Sequence, residues 1–188
     1  MQFRIYKLDS SRREDFFRLH SEHNAAEECF CTTWWVPTWE EWAEQTAEQN
    51  RDLRLRLLND GIFDGYLLYD GEEPIGWCQC CPRDLLPKIR QTYNLSPDEN
   101  IWAICCFFIL PRYREIGLAH YFLNEIIQSL KIQGVSHIQS FPKRGRELTP
   151  EDVWTGPEAI FLRAGFKPER DDEIHPVFGL DINNKGGT

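Results

Sequence analysis

The residue types best suited to chemistry lie in one short stretch. Arg112-Tyr113-Arg114-Glu115-Ile116-Gly117-Leu118-Ala119 follows an apolar run and leads into Leu118, Phe122, Ile126 and Leu130 at spacing four, the period of an amphipathic helix. A strand, a turn and a helix N-terminus in that order leave several backbone N–H groups without intrahelical partners. Such a terminus attracts anions. Gly117 and Ala119 carry no bulky side chain, so a pyrophosphate could reach the backbone, and Arg112 and Arg114 could add charge-assisted contacts. An ordinary turn with solvated arginines is the alternative reading. Neither G-x-x-x-x-G-K-[ST] nor G-x-G-x-x-G occurs at this turn, which disfavours a kinase, a GTPase or a dinucleotide dehydrogenase.

Thiols and indoles are the other reactive or recognising groups. Cys105 and Cys106 alternate on one strand and point to opposite faces. Only one can therefore face a ligand, where a covalent acyl-cysteine step is chemically open to a thiol. Cys29-x-Cys31 and Cys78-x-Cys80-Cys81 are spaced more tightly than the C-x₂₋₄-C of structural zinc sites, so no metal is expected. The stretch from Glu22 to Pro37 lacks periodicity and holds Cys29, Cys31, Trp34 and Trp35, and is expected to line an acceptor pocket. Trp39 and Trp42 stand at helical spacing and read as packing residues. The histidines His20, His23, His120, His137 and His175 are scattered and read as surface or satisfied core residues.

The elements that must position these groups can be followed along the chain. Phe3 to Leu8 reads as a strand, and Asp9-Ser10-Ser11 then caps a helix through about His20. Thr38 caps a second helical stretch that runs, with a break, to Asn59. Tyr66 to Tyr69 and Pro74 to Cys81 flank Asp70-Gly71, a strong hairpin signal. Ile101 to Ile109 is continuously apolar, as in a central strand buried on both faces. A helix over Gly117 to Gln133, a strand over Ser136 to Phe141, a short helix over Pro157 to Ala164 and strands at Phe166 to Pro168 and Ile174 to Leu180 follow. Residues 1–182 read as a single domain and 183–188 as a frayed tail.

Composition narrows the class. A chain of 188 residues, 41% hydrophobic and 27% charged, is globular and long enough for a core without staples. The longest apolar run, Ile101 to Leu110, is ten residues, about half of a membrane-spanning helix. No membrane partner is expected. The first residues alternate polar and apolar around Arg4 and Lys7, unlike a secretory signal. Seven cysteines without such a signal point to reduced thiols and a cytoplasmic location. A net charge of −9 repels phosphate backbones, so nucleic acid is not an expected partner. Monomer and homodimer both remain open.

Arg114-Glu115-Ile116-Gly117-Leu118-Ala119 resembles the [QR]-x-x-G-x-[GA] signature of GNAT-type N-acetyltransferases. Phe161-Leu162-Arg163-Ala164-Gly165-Phe166 is similar to that family's last helix and its Gly-Phe ending, and the element order from Phe3 to Leu180 matches as well. Cys29-Phe30-Cys31 with Trp34-Trp35, Gly76-Trp77-Cys78, Pro82-Arg83, Trp102 with Cys106-Phe107-Phe108, and Thr155-Gly156 resemble a bacterial subgroup with a Cys-x-Cys…Trp-Trp N-terminal segment. The resemblance implies an α/β (α+β) fold, with a mixed, mostly antiparallel twisted sheet of six to seven strands flanked by helices on both faces. It implies transfer of an acetyl group from acetyl-CoA to a primary amine.

On that resemblance, the cofactor residues are Phe107, Phe108 and Ile109 along the pantetheine arm, Arg112 and Arg114 to Ala119 (Glu115, Ile116, Gly117 and Leu118 included) around the pyrophosphate, and Phe161. Trp34, Trp35, Cys29 and Cys31 are the acceptor candidates. Many relatives place a Tyr general acid where this chain has Phe161, and some carry a carboxylate on the central strand, where Ile101 to Leu110 has none. Glu99, acting through water, and Cys105 are the remaining catalytic candidates, with Tyr113 and Tyr121 as substitute acids. A non-catalytic acyl-CoA-binding or interaction module is the alternative that these gaps leave open.

Overall fold

The computed structural model describes residues 2–22, 28–149 and 152–182. The expected 183–188 tail lies outside the described residues. Seven strands among the described residues form one sheet in the order β1-β2-β3-β4-β5-β7-β6. They are β1 (Phe3–Lys7), β2 (Gly65–Asp70), β3 (Glu73–Pro82), β4 (Ile101–Ile109), β5 (His137–Ser140), β6 (Lys167–Arg170) and β7 (Val177–Asp181). Among the described residues only β4 and β5 run parallel. The hairpin between β2 and β3 closes with Asp70 opposite Glu73 around Gly71, whose φ of +62° suits glycine.

Helices α1 (Arg13–Ser21), α2 (Trp39–Ala43), α3 (Ala47–Asn59), α4 (Pro87–Thr92), α5 (Leu118–Ile132) and α6 (Glu158–Arg163) surround the sheet. The expected break between α2 and α3 has a local cause. Thr46 opens a new helix with a full capping box, its side chain on the Gln49 N–H and the Gln49 side chain on its own. Helix α5 buries Leu118, Phe122, Leu123, Ile126, Ile127 and Leu130 along one stripe. Among the described residues no helix is long and apolar enough to cross a membrane.

Strand β4 is the axis of the core. Ala103 and Cys105 enter a cluster with Trp34, Leu86, Ile89, Tyr93 and Phe141, whereas Ile104 and Cys106 enter the larger cluster with α1 and α5. The strand is thus buried on both faces, as its unbroken apolar run requires.

Candidate active site

A bulge starts the site. Gln79 pairs with Cys106 but Cys80 pairs with Ile104, so Cys105 is an extra residue on β4. Its carbonyl accepts the Trp34 indole N–H at 2.9 Å. β5 follows β4 only over Ile101 to Ile104 and then leaves through Phe141-Pro142, where proline has no N–H to continue a ladder. The far half of β4 is therefore open on that side.

The register says which backbone groups face the opening. Leu110 N–H donates to the Ile75 carbonyl at 2.9 Å, which makes Gly76 and Ile109 a pair that is not hydrogen-bonded to each other. The N–H and C=O groups of Phe107 and Ile109 consequently point away from β3. Phe107 N–H is taken by the Trp154 carbonyl at 2.8 Å, and the Ile109 carbonyl accepts Arg114 Nε at 2.8 Å. The Ile109 N–H and the Phe107 carbonyl face the cleft.

At the end of that opening the chain turns into α5 through two left-handed residues, Glu115 (φ +67°) and Gly117 (φ +82°). A non-glycine in this region is uncommon, and successive N–H groups in such turns make concave anion sites. Gly117 is the N-cap, no side chain caps the helix and its first turn holds no acidic residue. The amides of Leu118, Ala119 and His120 precede the first intrahelical bond, Tyr121 N–H to the Gly117 carbonyl at 3.3 Å. His120 adds a buried Nδ1 with no hydrogen-bond partner among the described residues, while its Nε2 meets Asn124 Nδ2 at 3.0 Å.

The opened edge of β4 and this helix terminus share one cleft of ≈ 1140 Å³. Pockets that take one drug-sized ligand usually span roughly 300–1,000 Å³, so this cleft is large for a single small molecule. Beyond the α5 end, the wall is made by Glu28, Cys29, Cys31, Trp39, Trp42 and Cys106. The loop carrying Cys31 is strained and clamped. Phe30 (φ +42°) and Cys31 (φ +49°) are both left-handed, and Arg54 holds their carbonyls from Nε at 3.0 Å and Nη2 at 2.6 Å. Arg54 is itself buried against Asp64, Nη1 to Oδ1 at 2.6 Å, and Asp64 Oδ2 accepts Gln79 Nε2 at 2.6 Å and Trp35 Nε1 at 2.8 Å.

The thiols meet at this loop. Cys31 Sγ lies 3.0 Å from Cys106 Sγ and 3.5 Å from His20 Nε2. Burial holds the Cys31 thiol well above its ordinary range, with the Cys106 contact adding to the effect. The hydrogen bond with Cys31, and then burial, do the same for Cys29. Contact with Cys31 draws Cys106 downward, but burial and the neighbouring thiols leave it raised.

Of the expected site residues, the cleft is lined by Phe107, Phe108, Ile109, Arg114, Glu115, Gly117, Leu118, Ala119, Cys29 and Cys31. Several expected residues lie elsewhere. Arg112 is exposed and pairs with Glu73 and, at 3.8 Å, with Glu22. Ile116 points to solvent, 55% exposed. Phe161 is fully buried against Phe166, and its ring edge sits where a Cβ on Gly156 would lie 2.7 Å away. Trp34 and Trp35 are spent on the Cys105 carbonyl and on Asp64.

Glu99 is exposed in the turn before β4. From Ile101 to Phe107 the strand covers roughly 20 Å at about 3.3 Å per residue, so Glu99 is far from the opening. Cys105 faces away from the cleft, with its Sγ on Gln79 Oε1 at 3.4 Å. Tyr113 lines the cleft but gives its hydroxyl to Glu73 at 3.0 Å, and Tyr121 gives its own to the Phe3 carbonyl at 3.3 Å. Trp39 and Trp42, read as packing residues, line the cleft, and Glu28, His120, Trp154 and Arg163 line it unannounced.

Comparison with known proteins agrees with this geometry. No curated protein matches the chain in sequence. A GNAT-family protein from Desulfovibrio desulfuricans superposes with a TM-score of 0.58 at 17% identity, covering 96% of this chain and 98% of its own. The PaiA N-acetyltransferase of Thermoplasma acidophilum, solved with coenzyme A, gives 0.54 at 15% identity over 96% and 99%. The ribosomal-protein-S18-alanine N-acetyltransferase of Escherichia coli gives 0.55 at 11% identity over 96% and 94%. At these identities the likeness is one of fold. The model of the acetyltransferase (GNAT) family matches residues 16–143, about two thirds of the chain, and the protein belongs to that family.

Proposed function

We propose that the cleft holds acetyl-CoA along β4 and the α5 N-terminus, and that the acetyl group passes to a primary amine seated against Trp39, Trp42 and Glu28. The observation that carries this reading is the convergence of the opened β4 edge and the uncapped α5 amides on one cleft. The fit is chemical as well as spatial. The orphaned His120 Nδ1, the open space over Gly117 and the absence of a carboxylate in the first turn of α5 all suit a polyanion.

Acetyl-CoA supplies a thioester whose carbonyl carbon an amine attacks. The chain's residues do the rest. The Leu118, Ala119 and His120 amides, with Arg114, hold the diphosphate. The Ile109 N–H and the Phe107 carbonyl pair with the pantetheine amides as a neighbouring strand would. Trp39 and Trp42 exclude water from the acceptor, while the Glu28 carboxylate draws a cationic amine and accepts its proton. This favours an amine on an apolar or aromatic body over a polyamine. Seven cysteines that form no disulfide among the described residues support a reducing compartment, the cytoplasm.

Thiol release from acetyl-CoA, followed across a panel of arylalkylamines, polyamines, aminoglycosides and lysine peptides, tests the reading. Saturable release with an apolar amine, weakened in Arg114→Ala, is expected. Failure of the folded protein to bind acetyl-CoA would overturn it.

A further inference from the structure

A second cavity, of ≈ 490 Å³, lies beside the cleft, within the roughly 300–1,000 Å³ usual for a pocket that takes one small ligand. Trp39 and Trp154 line both cavities. Trp154 stands where β4 opens, since its carbonyl takes the Phe107 N–H at 2.8 Å. The deeper walls belong to the other side of the strand. Trp34, Tyr93 and Phe141 are members of the cluster that buries Cys105, not of the one beneath α5. Their rings are packed against one another: Trp34 lies 5.5 Å from Trp154 and 5.6 Å from Trp39, and Tyr93 lies 4.7 Å from Phe141. A chamber walled in this way takes an apolar or aromatic body.

Its charged groups are not equivalent. Lys143 Nζ pairs with Asp152 Oδ1 at 2.5 Å, and Asp152 Oδ2 accepts the Thr149 N–H and hydroxyl, each at 3.0 Å. Asp172 folds the β6–β7 turn, its Oδ1 accepting the Ile174 and His175 N–H groups at 2.9 and 2.7 Å. Arg144 braces that turn, with its N–H on the Ile174 carbonyl at 2.8 Å and its Nη1 on Asp171 at 2.7 Å. Arg170 differs. Among the described residues its guanidinium donates to carbonyls alone, that of Tyr93 and, at 3.5 Å, that of His175, and its Nε is buried without a partner. Asp172 acts on it through space rather than by contact. A guanidinium has five N–H donors, so each terminal nitrogen keeps one for an anion, and the two oxygens of a carboxylate match that pair.

We propose that this chamber receives the body of the acceptor and that Arg170 binds a carboxylate on it, which makes the acceptor a small amino acid with an apolar or aromatic body. The inference rests on acetyl transfer in the adjoining cleft and names the class of its acceptor. The amine stays on the cleft side of Trp39, and the carboxylate points to the β6–β7 turn. A chain of net charge −9 repels anions at long range. Taking up a carboxylate therefore requires a local cation without an ion pair of its own, and Arg170 is that cation. A polyamine would bring a second ammonium toward Arg170, where like charges repel.

Calorimetric titration of the intact protein with matched pairs, with and without saturating CoA, tests the assignment. The pairs are benzylamine against para-(aminomethyl)benzoate and phenethylamine against phenylalanine. The carboxylate member of at least one pair should bind about tenfold tighter or better, as a charge-assisted contact provides. This comparison needs no variant. Arg170→Gln should erase the preference while keeping its melting temperature and, within about twofold, its affinity for CoA. Arg170→Lys, which retains the charge, should keep part of the preference. Equal affinities within both pairs, no binding of either carboxylate at millimolar concentration, or a preference that survives in Arg170→Gln would overturn the inference and leave the acetyl-CoA reading standing. Carboxylate binding of the expected strength by a protein that fails to bind acetyl-CoA would instead remove that reading and keep the Arg170 site.

Discussion

Replacing Arg54 by methionine removes the charge that holds the acceptor-side loop. Arg54 and Asp64 are 0% and 1% exposed, and their contact is 2.6 Å. Methionine retains much of the side-chain volume but leaves the Asp64 carboxylate buried with only the Trp35 and Gln79 donors. It also strips the Phe30 and Cys31 carbonyls of their guanidinium contacts. Breaking a buried pair from one side costs about 3–5 kcal/mol. At about 2–4 °C per kcal/mol for a chain of this size, the melting temperature should fall by roughly 6–20 °C.

Urea unfolding followed by circular dichroism measures the loss directly, and an unchanged slope with a lowered midpoint would show that stability alone moved. In Arg54→Met/Asp64→Leu part of the loss should return, because the uncompensated charge is gone while the Trp35 and Gln79 donors stay orphaned. A loss below about 1 kcal/mol in the single variant would refute the reasoning, since it would mean that the pair is hydrated or unmade in solution.

Gly117→Ala meets no steric neighbour, yet a left-handed alanine costs about 1–2 kcal/mol; the Kd for CoA by calorimetry should rise roughly 5- to 30-fold, and an unchanged Kd would contradict the cradle. Glu28→Gln should raise the amine KM several-fold and leave CoA affinity intact, whereas an unchanged amine KM would remove Glu28 from the acceptor site. All seven thiols are held above their ordinary value of 9.0, so the unfolded chain loses those protons first. Their stabilisation is present below about pH 9 and declines above it. Lys88, lowered by burial to about 8 from 10.5, acts oppositely between those values, one group against seven. Urea midpoints in reductant should therefore drop from pH 8 to pH 10; a flat profile would contradict the buried thiols.

Much of the fold was legible because its signals are local. The apolar run of β4, the spacing of four in α5 and the Asp70-Gly71 turn each report on a few neighbouring residues, and each element lies where those signals place it. The uncapped α5 N-terminus was legible for the same reason, since glycine at its N-cap is a local requirement. The tryptophan-lined wall of the cleft was not. Which tryptophans face the cleft depends on how the irregular segment docks on β4. Trp34 and Trp35 look available in sequence but satisfy a carbonyl and a buried carboxylate. The Cys31–His20 pair was equally hidden, because it joins the last turn of α1 to a left-handed residue eleven positions on. Cys105 was the expected candidate of the strand pair, but its side chain faces Gln79 and it is Cys106 that lines the cleft.

The central claim is that acetyl-CoA lies between the open β4 edge and the α5 N-terminus. Backbone amide NMR during a CoA titration tests it most directly. The account predicts saturable shifts at Ile109, Leu118, Ala119 and His120, with small changes at Glu99 and at the amides around Cys105. Binding that leaves those four amides unmoved would contradict it.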